Sequence, residues 1–254
     1  MKLQWIPLIA GLAWFFSAIS WAEKEINYYV IANQAQPFQI EEHGEKHSGI
    51  VTDIVKEIFN DSEAYTLHYH TYPFKRMISI LEAGGEPNWI TYGSPNWGNV
   101  QSENLSEQPI YTVKHALVTS EKSSFKFEDM SSLDNKGIVL LLGFDYPELT
   151  PYIEQGSVEE IRVNDYGAAF RVLNKLPGDT AFVEMESRVK YYLNHLSYEQ
   201  DAFHIQAFSQ VIPDYSIYLA FSNQMDEDVQ AYINARLREL RQSGKLDEII
   251  KTYI

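Results

Sequence analysis

The sequence predicts an α/β fold in two lobes, and three observations carry that expectation. Short aromatic and β-branched runs alternate with segments whose apolar residues recur at helical spacing, the pattern of βαβ units around a mostly parallel sheet. The alternation starts afresh after about residue 120. The chain then ends in a long amphipathic helical stretch, Asp226 to Ile254, broken at Ser243-Gly244 and placed to return to the first lobe. With 254 residues, 45% hydrophobic and 22% charged, the chain can supply a core to each lobe.

Taken in order, Tyr28 to Ala32 reads as a first strand, left through the polar turn Asn33 to Phe38. His43-Gly44-Glu45-Lys46-His47 reads as a hairpin tip. Gly49 to Asn60 is helical, with Ile50, Val51, Ile54, Val55, Ile58 and Phe59 on one stripe and Asp53 in the first turn, where a carboxylate suits the helix dipole. Tyr65 to Thr71 alternates as a strand. Pro73 opens a helix carrying Phe74, Met77, Ile78 and Leu81, which Gly84-Gly85 stop. Trp89 to Tyr92 is a short strand, and Gly93 to Trp97 leave its carboxyl end, where open α/β sheets bind ligands.

Ser94 to Gln108 is polar and irregular, and Pro109 to Thr112 leads into a strand from Lys114 to Thr119. Ser120 to Ser132 is charged and exposed in character. Gly137 to Gly143 reads as a buried strand ending in a glycine turn, Tyr146 to Gln155 as helical and Ile161 to Val163 as a strand. Asn164 or Asp165 caps a helix with Ala169, Val172, Leu173 and Leu176 inward. Thr180 to Val183 is a strand, Glu184 to Leu196 helical, and strands follow near Phe203 to Gln206 and from Tyr215 to Phe221.

Residues 1 to 22 stand apart. Lys2 is their only charge, an apolar run extends from Trp5 to Ile19, and Ser20-Trp21-Ala22 places small residues where signal peptidase reads them. A secretory leader cleaved before Glu23 is expected, with the mature protein periplasmic. The chain has no cysteine, so it lacks the residue a lipoprotein anchor requires. A net charge of −15 argues against nucleic acid, which needs a basic face. Aromatic residues reach 14%, 17 of them Tyr, enough for an aromatic-lined cleft as well as aromatic cores.

Four stretches, in their order and spacing, resemble the periplasmic solute-binding proteins typified by polar amino-acid receptors. They are Gln36-Pro37-Phe38 followed by Gly49-Ile50-Val51-Thr52-Asp53-Ile54-Val55; Tyr72-Pro73-Phe74-Lys75-Arg76; Gly178-Asp179-Thr180-Ala181-Phe182-Val183-Glu184; and Leu237 to Ile249 with its Ser243-Gly244-Lys245-Leu246 centre. The resemblance covers most of the mature chain. It implies the type II periplasmic-binding fold: lobe 1 from residues 23–113 and 213–254, lobe 2 from 114–212, and two hinge strands near Val113 to Val118 and Ala207 to Tyr215. A small ligand between the lobes would favour their closure.

The same resemblance implies a cleft lined by Phe38, Tyr92 and Ser94 from lobe 1 and by Gly143, Phe144, Asp145 and Glu184 from lobe 2, with the acid at Glu184 able to hold an amino group. One departure bears on the ligand. The amino-acid receptors carry an Arg shortly after the Ser94 position that forks onto the ligand carboxylate. Here Ser94 to Gln101 contains neither Arg nor Lys, and Trp97 offers a ring face for stacking, cation–π contact or a cyclic ligand instead. Tyr72 and Arg76, at the entry to the second helix, join the expected ligand-binding set, Arg76 for its planar fork.

Other motifs say less. His68-x-His70 puts two imidazoles on one strand face without an evident third ligand, and a metal site needs three or four. No phosphate-binding Gly-Lys-Ser/Thr loop and no Gly-x-Ser-x-Gly occurs, so no cofactor and no catalytic residue is assigned. The expected function is a monomeric, non-catalytic receptor that captures a small polar or aromatic-faced solute for an inner-membrane ABC-type transporter or sensor. The alternative is an enzyme on the same fold, of the cyclic-acid dehydratase type, with Glu184 or Asp145 as its acid.

Overall fold

A computed structural model describes residues 23–42 and 46–254. The leader at 1–22 and the tip at 43–45 lie outside the described residues. Ile40 and Ser48, which flank that tip, form an antiparallel bridge.

Among the described residues, ten strands form two five-stranded sheets. In the first, β1 (Lys24–Ile31) pairs in parallel with β2 (Tyr65–Tyr72) and β3 (Trp89–Gly93). β10 (Tyr215–Phe221) runs antiparallel to β3 on one side and to β4 (Tyr111–Val113) on the other. Residues 26 to 31 of β1 are all buried because this central strand is covered on both faces. One cover is α1 (Ile50–Phe59), whose expected stripe is buried throughout. The returning helices α7 (Glu227–Gln242) and α8 (Lys245–Lys251) complete the same core through Val229, Ile233, Leu237, Leu246 and Ile249. They are separated at Gly244, whose φ of 78° is the left-handed region that ends a helix. On the sequence between β2 and β3 lies α2 (Phe74–Glu82), with Met77 and Leu81 buried.

The second sheet repeats the design. β6 (Gly137–Leu141) pairs in parallel with β7 (Glu159–Val163) and β8 (Thr180–Met185), and β5 (His115–Ser120) runs antiparallel between β8 and β9 (Phe203–Ala207). Its strands alternate with period two between separate cores. Val118, Val139 and Phe182 face α5 (Tyr166–Lys175) and α6 (Glu186–His195), whereas Leu117, Ile138, Ala181 and Val183 face Leu133, Phe208 and Ile212.

Each sheet is therefore mixed, with its antiparallel pairings made by the strands next to the crossings between sheets. The chain crosses first at Lys114, between β4 and β5, and back through residues 208–214, a loop rather than a strand. Three local expectations are corrected. A short helical turn, α3 (Val100–Glu103), interrupts the polar stretch expected to be irregular. The helix expected from Tyr146 begins at Thr150, as α4 (Thr150–Glu154). Arg162 Nη1 donates to the carbonyls of Leu141 and Phe144, at 2.9 and 2.8 Å, and holds the preceding residues in a loop. Finally, Glu184 ends a strand rather than opening a helix, because pairing with Ala116 of β5 extends β8 to Met185.

Candidate functional site

On the first lobe, backbone geometry fixes the aromatic floor. The N–H groups of Ile50 and Val51, which α1 leaves unpaired at its start, donate to the carbonyls of Pro37 and Phe38 at 2.9 and 2.8 Å. Gly49 permits this: at φ 112°, a Cβ there would stand 2.7 Å from the Phe38 carbonyl oxygen. The Gln36-Pro37 bond is cis. Phe38 is thus pinned with its ring stacked on Tyr92 at 6.0 Å and edge-on to Tyr111 at 5.4 Å. Tyr92 meets Trp97 edge-on at 5.6 Å, and Trp97 meets Tyr215 at 6.3 Å. Gln101 Nε2 donates to the Tyr92 carbonyl at 2.8 Å and ties the loop beneath them.

The second lobe supplies charge. Glu184 is 3% exposed and Arg188, in the first turn of α6, is 5% exposed. Glu184 Oε1 accepts the Met185 N–H at 2.8 Å, and Arg188 Nη1 lies 4.0 Å from the same oxygen. Glu184 Oε2 and Arg188 Nε and Nη1 are buried without a hydrogen-bond partner. The guanidinium stands 5.3 Å from the Phe144 ring. Burial pushes the Glu184 carboxyl up, and Arg188 only partly opposes it. Burial alone would lower Arg188, but the neighbouring Tyr166, Glu184 and Tyr92 together hold it firmly protonated. His115, against the Tyr215 ring, falls to about 4 because it is buried and faces Arg188, with Asp214 opposing.

Two tyrosines complete the cluster. Tyr166 begins α5, whose capping Asp165 accepts the Ala168 N–H at 2.7 Å. Its ring lies flat on Tyr192, with centroids 3.7 Å apart. The Tyr192 hydroxyl then donates to Gln36 Oε1 at 3.0 Å, bridging α6 to the loop after β1.

Of the expected residues, Phe38, Tyr92 and Trp97 come together, and Arg188 links Tyr92 to Glu184 and Phe144. Ser94 is fully buried and its hydroxyl donates to the Ser216 carbonyl at 2.8 Å, tying the loop to β10. Gly143, at φ 91°, and Asp145 flank Phe144 and are exposed. Tyr72 packs towards Tyr29 in the first core, at 6.2 Å, and Arg76 is exposed on α2. His70 is engaged by Asn27 at 2.7 Å and stacked on Tyr29, and among the described residues no group of three His, Asp or Glu side chains could hold a metal. Sequence reasoning missed Arg188, Tyr166, Tyr192 and Tyr215. The Glu184-x-x-x-Arg188 spacing, which brings two side chains together where a strand passes into a helix, was the available signal.

The model of the bacterial extracellular solute-binding proteins, family 3, matches residues 29–254. The chain belongs to that family. No curated protein matches this family-3 solute-binding protein in sequence. Among solved structures it is similar to the substrate-binding protein of an amino acid ABC transporter, at 19% identity and TM-score 0.63, over 91% of this chain and 99% of the other. It is also similar to a structure described for glutathione import via GshT and the cystine ABC importer TcyBC of Streptococcus mutans, at 18% identity and TM-score 0.68, over 91% and 95%. A third is the ancestral amino acid-binding protein AncCDT-1, a precursor of cyclohexadienyl dehydratase, at 11% identity and TM-score 0.63, over 90% and 94%. At these identities the three likenesses bear on the fold: two mixed five-stranded sheets flanked by helices, the type II periplasmic-binding arrangement.

Proposed function

We propose that the mature chain is a periplasmic, monomeric, non-catalytic receptor that captures a small solute between its lobes and presents it to an inner-membrane ABC-type transporter or sensor. The observation that carries this is that Tyr92, packed with Phe38 and Trp97, meets the buried Arg188 beside Glu184 across the two sheets. Aromatic faces with a few convergent, buried polar atoms are the chemistry of a small-molecule site. The lobes divide at 113/114 and 212/213, and closure brings Tyr192 onto Gln36. The leader before Glu23 directs export.

Thermal-shift and calorimetry screens of the mature chain against amino acids, amines, sugars and organic acids test this. Saturable binding of one class without turnover supports it, and the absence of any ligand counts against it. A dehydratase-type lyase is the second reading, favoured by a buried carboxyl at Glu184 whose proton is held above the ordinary carboxylate range, as a general acid needs. Product formation from a bound cyclic acid, lost in Glu184→Gln, would decide for it.

A further inference from the structure

We infer that Arg188, on the second lobe, is the residue that reads the solute's negative charge, in a site whose first-lobe loop carries no cation. The inference rests on reading the interlobe cluster as the solute site. It goes further by assigning the anion-reading role to one side chain and the cover to the other lobe.

The geometry is that of an unfinished ion pair. Several more exposed pairs close fully, Arg162 onto Glu160 at 2.6 Å, Lys190 onto Glu186 at 2.6 Å and Arg236 onto Glu239 at 2.7 Å, and the loose ones, Lys56 with Asp53 at 3.9 Å and Arg236 with Asp61 at 3.8 Å, lie in contact with water. Those pairs keep much of their contact with water. Arg188 and Glu184 have lost nearly all of theirs, yet they stop 4.0 Å apart, beyond hydrogen-bond range. Two Arg188 nitrogens and one Glu184 oxygen are left without partners. A buried pair that served stability alone would satisfy these atoms, since each is costly to leave unmade. What satisfies all three together is a group presenting acceptor oxygens to Arg188 and a donor to Glu184.

Among the described residues, only the Tyr92 hydroxyl reaches Arg188 from the facing lobe. That lobe's contribution is Phe38, Tyr92, Trp97 and Tyr215, and the loop from Ser94 to Gln101 has no cation. The position of Arg188 is itself unfavourable, because the first turn of a helix repels a cation. An anion beside it would offset that repulsion. Both charged contacts therefore belong to one connection, β8 into α6. The second lobe holds the polar end of the solute, and the first closes over it as an aromatic cover.

The test uses the mature chain and defined probes. L-alanine, L-lactate, L-phenylalanine and phenyllactate are compared with alaninamide, lactamide, phenethylamine, agmatine and glucose by calorimetry, in wild type, Arg188→Lys and Arg188→Gln. The expected result is that at least one carboxylate binds wild type while its amide binds at least 100-fold more weakly. Arg188→Lys, which keeps the charge and the fold by near-ultraviolet circular dichroism, weakens the carboxylate at least tenfold, and Arg188→Gln abolishes it. Equal carboxylate affinity in all three proteins overturns the inference. So does tighter binding of agmatine to Arg188→Gln than to wild type, because Arg188 would then occupy the place of a cationic solute. Glucose or another uncharged probe binding irrespective of residue 188 leaves the receptor function standing and removes this inference alone. Failure of every probe and of the wider solute screen removes both.

Discussion

Arg188 Nη1 lies 4.0 Å from Glu184 Oε1, four residues earlier in the chain, with both side chains almost entirely out of water. Two effects oppose each other in that pair. Burial disfavours both charges, whereas their proximity favours both. The balance falls unequally: the Glu184 carboxyl is pushed up, and Arg188 is held protonated.

That inequality predicts different outcomes for the two partners. Glu184 holds its proton more tightly folded than unfolded, so its ionisation cost is absent below the unfolded value near 4.5 and grows as pH rises through it. Glu184→Gln should thus be neutral or stabilising at pH 7 and lose any advantage below pH ~4. Arg188→Met leaves Glu184 buried without its cation and should cost about 3 kcal/mol. Urea unfolding at both pH values checks each; a loss of stability at pH 7 in Glu184→Gln would show that the ion-pair attraction outweighs burial.

His115 makes the fold sensitive to acid. Its folded value near 4, against 6.5 unfolded, is a depressed base, so the unfolded chain binds more protons between them. The associated stability is complete above pH 6.5 and is lost as pH falls to 4, a loss of roughly 3 kcal/mol. Arg188, Asp214 and Tyr215 face the ring, and of these Asp214 works against the shift. His115→Gln should flatten the urea midpoint between pH 4.5 and 6.5, and an unchanged slope there would contradict this assignment.

Tyr192→Phe removes the 3.0 Å bond to Gln36 while keeping the ring on Tyr166. One hydrogen bond is worth about 1 kcal/mol, or roughly fivefold in the ratio of closed to open lobes. Small-angle scattering should register a larger radius of gyration for the variant, with little change in unfolding midpoint.

Gly93→Ala tests how the aromatic floor is positioned. A Cβ at Gly93 would meet the Gln101 carbonyl oxygen at 1.9 Å, where backbone cannot yield without releasing the Ser94 N–H bond to that oxygen. The expected cost is about 3 kcal/mol, a fall of roughly 6–12 °C in Tm, with the loss of Trp97's near-ultraviolet signal. A variant as stable as wild type would mean the 93–101 loop can shift freely.

Much of the fold was legible because it rests on local order. The stripe of α1, the apolar run of β6, the Asp165 cap and the break at Gly244 each state a burial or a backbone need within a few residues. Where neighbours from elsewhere decided, local reading fell short. The Arg162 bonds kept Tyr146 out of a helix, and pairing with β5 kept Glu184 in a strand.

By itself, then, the sequence determined two α/β lobes, their order and the aromatic character of the stretch from Tyr65 to Trp97. Only the tertiary structure decided that Arg188 of the second lobe is brought against Tyr92 of the first, beside Glu184. The physical reason is that helical periodicity says which residues share a face but not what that face meets. The direction of α6 is set by where β8 ends against β5, and the first-lobe partner of Arg188, Tyr92, lies 96 positions earlier in the chain.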